Sequence, residues 1–522
     1  MLNEESAPQE APSHRIARNS VLYFLSLGLP ALAALFLVPV TVRALGPARF
    51  GLLALAWAVA EGSGMFDFGL GRATVRFVAD ATEKGIARLR QIVFASLFSQ
   101  TAAGLLAGVL LFVLAPVLVG RVFSISPEIA GEATPMFRVL ALHLPVLLAA
   151  AALRASLEGA QRFDISAALR IPGSTASVAI PAIVAYLGHS LVTIMWWLLA
   201  VRVALLVISA VAVSRSLRIG PWRLPESWAI LVEMVRYSGW VAVSTALGPI
   251  LGSFDRFVVG SVVGVAGLGY YTGAAESATR FLLIPVTAFS ALLPALAATD
   301  ARGARERALT VTRSARRQLA TVLFPLCLTL FAFAPQILGF WLGDDFGASA
   351  GNALRILTVG VFFGGLAHLP MALLYGSNRP DIPARIHIVQ AIFYIPLTFA
   401  LVKNFGINGA ASAWALRNAA DLVLYEVTSQ QALGRAPADR AERGRAGQLS
   451  FASAALAAGF VASVWLWRAS PTLSVGAAIL ALAAYLAVGW TRVLTAAERS
   501  AWTNIASRRG TGAPQVAAEL KT

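Results

Sequence analysis

Apolar stretches of about twenty residues recur along the whole chain, and short polar segments separate them. Such a stretch is long enough to cross the hydrocarbon core of a bilayer as an α-helix. The pattern predicts about fourteen such spans, at approximately 20–42, 50–78, 92–119, 136–157, 171–187, 191–213, 238–261, 268–298, 318–342, 353–376, 386–402, 408–429, 450–467 and 473–491. Prolines such as Pro145 and Pro396 lie well inside them and bend the helices, because each removes a backbone hydrogen bond. The sequence therefore predicts an all-α integral membrane protein with bent helices.

The composition agrees with this pattern and excludes several other classes of protein. Hydrophobic residues make up 58% of the chain and charged residues 13%, whereas soluble proteins carry about 25% charged residues. The net charge is +16, but the arginines lie in the short segments between spans, so nucleic acid is not an expected partner. Cys327 is the single cysteine, which excludes an intramolecular disulfide and a cysteine-rich metal or redox site. No metal site and no cofactor are predicted.

The basic residues also predict an orientation. With the N-terminus in the cytosol, 28 lysines and arginines lie in cytosolic segments and 5 in outer loops. Cytosolic loops of membrane proteins are enriched in basic residues, so both termini are expected in the cytosol. The polar segment 1–18 is interpreted as a cytosolic tail and not as a signal peptide.

The chain contains an internal repeat. The pattern G-x-x-R-x-D-I occurs at residues 159–165 and again at 376–382, 217 residues later. One pair of tryptophans and two pairs of glycines match at spacings of 217 or 218: Trp197 and Trp414, Gly46 and Gly264, Gly51 and Gly269. Six spans return the chain to its starting side, so the copies have the same orientation and are related by an axis along the membrane normal. Two six-helix lobes around a central cavity are expected, with two extra C-terminal helices.

The predicted organisation has seven parts. They are a cytosolic N-terminal tail (1–18), the first lobe (19–215), a cytosolic linker (216–236), the second lobe (237–430), a charged linker (431–449), helices 13 and 14 (450–495) and a cytosolic tail (496–522).

Charged residues at membrane depth are costly and mark functional positions. Arg202 and Arg417 lie near the middle of spans 6 and 12, the equivalent helices of the two copies. Arginine suits a phosphate or carboxylate, because its planar guanidinium binds an oxyanion bidentately. The two residues predict a cationic cavity between the lobes, with Arg72 and Arg280 as further candidates.

Other polar residues in the spans have simpler interpretations. Arg76 and Arg154 lie near the predicted cytosolic boundary, where a long side chain can reach the aqueous phase. Glu276 with Arg280 and Arg417 with Asp421 are spaced i, i+4, which allows pairing on one helix face. Two histidines in spans 4 and 10 are interpreted as helix-packing residues, with a proton-carrying role left open: His143 and His368.

The start of the chain resembles a known family. An LG-x-x-x-FG turn at residues 45–51 precedes the motif F-D-x-G-L-G-x-A-x-x-R-F at residues 66–77, and a short basic loop follows. These features resemble the polysaccharide-transporter branch of the multidrug/oligosaccharidyl-lipid/polysaccharide exporter superfamily.

The resemblance implies a flippase for O-antigen, capsule or exopolysaccharide units in the bacterial inner membrane. Its substrate would be an oligosaccharide linked to undecaprenyl pyrophosphate, moved from the cytosolic to the outer leaflet by alternating access. A proton or sodium gradient, or the membrane potential, would drive transport, and Asp67, Glu276 and Asp421 are the candidate ion-coupling residues. The polysaccharide polymerase and the glycosyltransferases of the pathway are candidate partners.

Three alternatives stay open at this point. They are a multidrug or metabolite exporter of the same superfamily, a lipid II flippase, and an integral-membrane glycosyltransferase. An enzyme is not expected, because the sequence lacks GxxxxGK[ST] and HExxH motifs and its loops are short.

Overall fold

The computed structural model describes residues 12–220, 228–289, 302–377, 379–434, 440–467, 470–496, 498–500 and 503. Nearly all of these described residues are helical, and no β-strand occurs among them. Much of both predicted tails, parts of both predicted linkers and the end of the predicted span 268–298 lie outside the described residues.

The helices follow the predicted order. The first lobe contains α1 (Pro12–Gly62), α2 (Leu70–Lys84), α3 (Ile86–Val117), α4 (Pro127–Gly159), α5 (Phe163–Tyr186) and α6 (Leu191–Leu217). The second lobe contains α7 (Trp228–Val262), α8 (Val265–Thr279), α9 (Arg302–Ala332), α10 (Ala334–Leu342), α11 (Asp344–Gly376) and α12 (Asp381–Leu433). The chain continues with α13 (Arg440–Trp467) and α14 (Pro471–Val488).

Long apolar helices confirm the multi-span membrane fold. Within the described residues, 9 helices are long and apolar enough to cross a membrane, and the bent pair α9–α10 raises this to 10. Two of them, α1 and α12, bend at Gly46 and Gly406, so each contains parts of two predicted spans. The total of fourteen spans stays a prediction. Both α7 and α13 begin inside segments predicted as linkers, at Trp228 and Arg440.

The backbone of the second lobe repeats that of the first. Gly46 and Gly264 have φ values of 70° and 97°, and Gly188 and Gly406 have φ values of 79° and 57°. Each pair is separated by 218 residues. Such positive φ values are accessible to glycine without steric strain, so the matched glycines place the same turns in both copies.

The repeated R-x-D turns also have the same structure. Arg162 Nε donates to Asp164 Oδ1 at 3.3 Å, and Arg379 Nε donates to Asp381 Oδ1 at 3.0 Å. In both copies the arginine and the aspartate form a second bond through Nη2 and Oδ2. The repeat read from the sequence is thus confirmed at the level of side-chain geometry.

The lobes meet through a pseudo-symmetric contact between α1 and α8. A Cβ atom on Gly51 would lie 1.8 Å from the carbonyl oxygen of Val265, and one on Gly269 would lie 2.0 Å from that of Pro47. The same spacing of 218 residues relates Gly51 to Gly269 and Pro47 to Val265. The two backbones therefore touch directly, which only glycine permits at these positions.

The second predicted span of the first lobe is broken, and its counterpart in the second lobe is locally tightened. The predicted continuous helix over 50–78 is wrong, because a 3₁₀ segment occupies Ser63–Asp67 and the left-handed residues Phe68 (φ 46°) and Gly69 (φ 75°) follow it. The second lobe has a 3₁₀ segment at the corresponding position, Arg280–Leu282.

The hydrophobic cores show how the lobes are arranged. One large cluster joins both lobes toward the predicted outer end and contains Phe50 and Phe137 from the first lobe and Tyr271 from the second. Toward the predicted cytosolic end, one cluster around Val93 combines first-lobe residues with the start of α7, and another around Tyr425 lies within the second lobe. The lobes therefore share a large core at the outer end, whereas at the cytosolic end the start of α7 packs on the first lobe.

The two C-terminal helices, α13 and α14, are attached to the second lobe. Phe460 of α13 and Tyr485 of α14 form a buried cluster with Ala332 at the end of α9. Phe324 of α9 packs against the same cluster. This pair lies outside the repeat, as predicted.

Candidate anion-binding cavity

Arg202 lies near the middle of α6, where the sequence analysis predicts it. Its Nη1 atom lies 2.6 Å from Nδ1 of His143, a fully buried residue of α4. The other ring nitrogen of His143, Nε2, lies 3.1 Å from the carbonyl oxygen of Met195. A buried hydrogen bond of this kind compensates part of the cost of holding a charge at membrane depth.

A cavity of about 480 Å³ lies between α4, α5 and α6, and Arg202 forms part of its wall. Arg154 and Arg170 are also in the wall, and Glu158 is the one acid among the described lining residues. The lining of α4 runs from Val146 to Glu158, which is about 18 Å along the helix axis. The cavity therefore has an excess of positive charge that reaches from near the cytosolic end of α4 to mid-membrane.

Two of these arginines were not assigned to a site by sequence reasoning. Arg154, interpreted there as a snorkelling residue, lines the cavity, and Arg170 was counted with a cytosolic loop but belongs to α5. The sequence did contain a pattern that could have identified Arg170. The polar and small residues of α5 that line the cavity recur at i, i+3, i+4 and i+7, which places them on one face of the helix. They are Arg170, Gly173, Ser174 and Ser177.

Arg417 lies in α12 and makes its contacts within the second lobe. Its Nη1 donates to the carbonyl oxygen of Leu251, and its guanidinium carbon lies 5.2 Å from the ring centroid of Tyr394. Among the described residues it forms no ion pair with Asp421, although the i, i+4 spacing allows one. The described lining of the Arg202 cavity does not include Arg417, so the structure does not bring these two arginines together in one described cavity.

Glu276 and Arg280 belong to a network of ion pairs at the lobe interface. Arg280 Nη2 donates to Glu276, as the i, i+4 spacing predicts. Arg256 of α7 approaches Glu276 at 3.7 Å and donates to Glu61 of α1 at 3.2 Å. The second lobe therefore neutralises its interface arginines with carboxylates, one of which comes from the first lobe.

Asp67 and Arg72 lie on either side of the break in the second span. Both carboxylate oxygens of Asp67 lie 3.0 Å from the backbone N–H of Gly71, which donates to them. The carboxylate therefore satisfies one of the free N–H groups in the first turn of α2. Arg72 is exposed on that turn.

Asp421 lies in a buried polar cluster of the second lobe. Gln390 Nε2 donates to its Oδ1 at 2.8 Å. The hydroxyl of Tyr425 lies 3.0 Å from Nε2 of His387 in the same region. The described residues contain no group of three or more His, Cys, Asp and Glu side chains that could hold a metal ion.

Comparison with known sequences identifies relatives. A family model described as "Polysaccharide biosynthesis protein" matches residues 40–351. Over 419 residues the chain is 26% identical to the "Putative O-antigen transporter" of Shigella flexneri, and the match covers 79% of this chain and 97% of that protein.

Comparison with solved structures identifies the fold. The lipid II flippase MurJ in an inward closed conformation matches with a TM-score of 0.68 at 11% identity, over 91% of this chain and 99% of MurJ. An inward-facing multidrug resistance MATE family transporter of the MOP superfamily matches with a TM-score of 0.63 at 15% identity, over 80% of this chain and 98% of the transporter. At these identities the similarity establishes that the chain shares the fold of these proteins.

Proposed function

Since the chain belongs to the polysaccharide biosynthesis protein family, we propose that it is a flippase for lipid-linked saccharide units of surface polysaccharides. Its cargo is an oligosaccharide carried on undecaprenyl pyrophosphate, which the protein turns from the cytosolic to the outer leaflet. The relative from Shigella flexneri, described as an O-antigen transporter, supports this cargo class. Transport of this kind requires no enzymatic step.

The basic cavity of the first lobe is the observation that carries the proposal. A pyrophosphate group cannot enter hydrocarbon without compensation, because each charge at the bilayer centre costs about 2.5–3.5 kcal/mol on insertion scales. Arg154, Arg170 and Arg202 offer forked donors that match phosphate oxygens. Ser174 and Ser177 add hydroxyl groups suited to sugar or phosphate. Arg417, Arg280 and Arg72 are further proposed contacts along the passage between the lobes.

The arrangement of the lobes supports alternating access from the cytosolic side. The lobes share one large core toward the predicted outer end, whereas toward the predicted cytosolic end the second-lobe contribution to the first-lobe cluster comes from the start of α7. The excess of basic residues at the predicted cytosolic end supports a cytosolic location for both termini and insertion in the bacterial inner membrane. In this proposal an ion gradient or the membrane potential drives the cycle, and Asp67, Glu276 and Asp421 are the candidate ion-coupling residues. The pathway's glycosyltransferases and polymerase supply and consume the cargo.

Complementation of a deletion strain tests the proposed function. A strain without this gene should lose surface polysaccharide and accumulate the lipid-linked oligosaccharide on the cytosolic leaflet, and the wild-type gene should reverse both effects. Arg202→Ala should fail to complement while the protein is present in the membrane at normal amounts. The matched control is Arg138→Ala on α4, because Arg138 is exposed and lies over the Phe112 ring, away from the cavity. Unchanged polysaccharide in the deletion strain would contradict the proposal, and a gain in sensitivity to cationic drugs would favour an exporter.

A further inference from the structure

The contact between His143 and Arg202 fixes the protonation of the imidazole. A guanidinium group has donors only, so Nδ1 of His143 must accept the hydrogen bond from Arg202 Nη1 at 2.6 Å. An accepting Nδ1 carries no proton, and the ring proton must therefore lie on Nε2. This agrees with the second contact, in which Nε2 donates to the carbonyl oxygen of Met195 at 3.1 Å. The buried histidine is neutral and has a defined tautomer.

The other charges of α4 lie far from this ring or on another face. Glu132, which binds Arg49 of α1, and Arg154 are each about 16 Å from His143 along the helix axis. Arg170 of α5 interacts electrostatically with Arg154 and so lies at that level. Arg138 is nearer in sequence, but it is exposed and stacks on α3.

The neighbouring helices bring no second charge to His143. Helix α3 approaches α4 near His143 through Gly104, where an added Cβ atom would contact the backbone of Pro145. The basic residue Arg90 of α3 lies about 21 Å from Gly104 along the helix axis. Helix α2 contacts α4 at Gly159, where an added Cβ atom would meet the backbone of Val75. Gly159 lies about 24 Å from His143 along α4, so the charged residues of α2 lie at that distance from the imidazole. Arg215 of α6 lies about 20 Å from Arg202. Within the described part of the chain, Arg202 is thus the charged side chain in contact with the imidazole.

We propose that His143 is a proton-binding site coupled to anion binding by Arg202. A proton that binds at Nδ1 forms an N–H bond there and removes the acceptor for Arg202. Two adjacent cations then repel each other, and the Arg202 guanidinium turns toward the cavity that its side chain already lines. This inference rests on the proposed function in one respect, since the anion that meets Arg202 is the pyrophosphate of the cargo.

The coupling has a definite sign. An anion bound to Arg202 reduces the local positive charge and favours protonation of His143, and protonation frees Arg202 for the anion. By linkage the two effects must be equal in size. Proton and anion therefore bind together, and anion affinity rises as the pH falls. Coupling between ligand sites is commonly between 5- and 150-fold, so a change on the order of tenfold is expected.

Sulfate binding to the full-length protein in lipid nanodiscs tests the proposal. Sulfate keeps two negative charges down to about pH 3, well below the range in which an unperturbed histidine titrates, so a pH series that extends into this acidic range reports on the protein alone. Calorimetry in two buffers of different ionisation enthalpy measures affinity and proton uptake together. The wild type should bind sulfate on the order of tenfold more tightly at the acidic limit and should take up protons as it binds.

Two variants of His143 separate a proton site from a structural role. His143→Asn places an amide oxygen near the position of Nδ1 and should hold Arg202 permanently, which gives weak, pH-independent binding without proton uptake. His143→Gln reaches toward the Met195 carbonyl but offers no acceptor at Nδ1, and should give tight, pH-independent binding. Wild-type pH dependence in both variants would overturn the proposal. Arg202→Ala should weaken sulfate binding and remove its pH dependence, and pH-dependent binding in that variant would overturn the proposal. Absence of sulfate binding to the wild type would count instead against the anion cavity of the proposed function itself.

Discussion

The two lobes have the same backbone framework but differ in the partners of their interior arginines. In the first lobe, three arginines and one glutamate surround a cavity. In the second lobe, Glu276 contacts both Arg256 and Arg280, and Glu61 extends the network across the interface. The repeat therefore preserves helix order and turn geometry but not interior chemistry. In our proposal, the first-lobe cavity therefore takes the anionic part of the cargo, whereas the arginines of the second lobe at the interface already have carboxylate partners.

Removal of one arginine from each lobe should produce unequal losses of transport. Arg202→Ala removes a charged donor from the cavity and should lower the flipping rate in proteoliposomes on the order of 100-fold, since a buried charge contact is worth about 2–5 kcal/mol. Arg280→Ala leaves Glu276 beside Arg256 and should have a much smaller effect. Equal losses in the two variants would remove the functional distinction between the lobes.

The contact between α1 and α8 should respond symmetrically to substitution. Gly51→Ala and Gly269→Ala each place a Cβ atom within 2.0 Å of a backbone oxygen in the opposite lobe. Overpacking of this kind typically costs about 1–3 kcal/mol, so both variants should show similar drops in thermal unfolding temperature. Gly131→Ala is the control, because nothing lies within 4 Å of its added Cβ. A large drop in only one of the two variants would show that the contact is not pseudo-symmetric in energy.

The helix break in the first lobe has a cap that the second lobe lacks. Asp67 binds the N–H of Gly71, whereas the residue 217 positions later is Ile284. Asp67→Ala should destabilise the protein by about 1 kcal/mol, the usual value of a lost helix cap, and Asp67→Asn should keep most of that stability. Thermal unfolding in detergent measures both. A stable Asp67→Asn protein that no longer responds to an ion gradient would identify Asp67 as a coupling residue.

Within the described residues, the segment that follows α14 is attached to α9 of the second lobe through Glu498, and this attachment should depend on pH. Burial alone would raise the pKa of Glu498, but hydrogen bonds from the Ser314 hydroxyl and the Thr495 N–H, with the charge of Arg317, lower it. The stabilisation is therefore present above the unfolded pKa and is lost as the pH falls through the lower folded pKa. The protection factors of amides in residues 495–500, which correct for the slower intrinsic exchange in acid, should fall severalfold at acidic pH in the wild type. Glu498→Gln should show fast exchange at neutral pH already; unchanged exchange in that variant would mean that the carboxylate does not hold the segment.

Hydropathy and the repeat were sufficient to predict the helical membrane fold and the equivalence of the lobes. Gly46 and Gly264, for example, match in sequence and both have positive φ values. The break at Phe68 and Gly69 was not predictable in the same way, because an apolar stretch has the same hydropathy whether its backbone is continuous or interrupted.

The cavity could be predicted only in part. The central position of Arg202 follows from span boundaries alone, since a charge at that depth needs a partner. The roles of Arg154 and Arg170 depend on which faces of α4 and α5 point toward α6, and this is set by tertiary packing. His143 shows the same limit, because the contact that defines its tautomer joins helices 59 residues apart in sequence.

Binding of undecaprenyl pyrophosphate to the purified protein in nanodiscs tests the central claim most directly. The variant Arg154→Gln/Arg170→Gln/Arg202→Gln should bind this lipid at least on the order of 100-fold more weakly than the wild type, and the control Arg138→Gln should bind it normally. Equal affinity of the triple variant and the wild type would contradict the assignment of the first-lobe cavity as the site of the cargo's pyrophosphate.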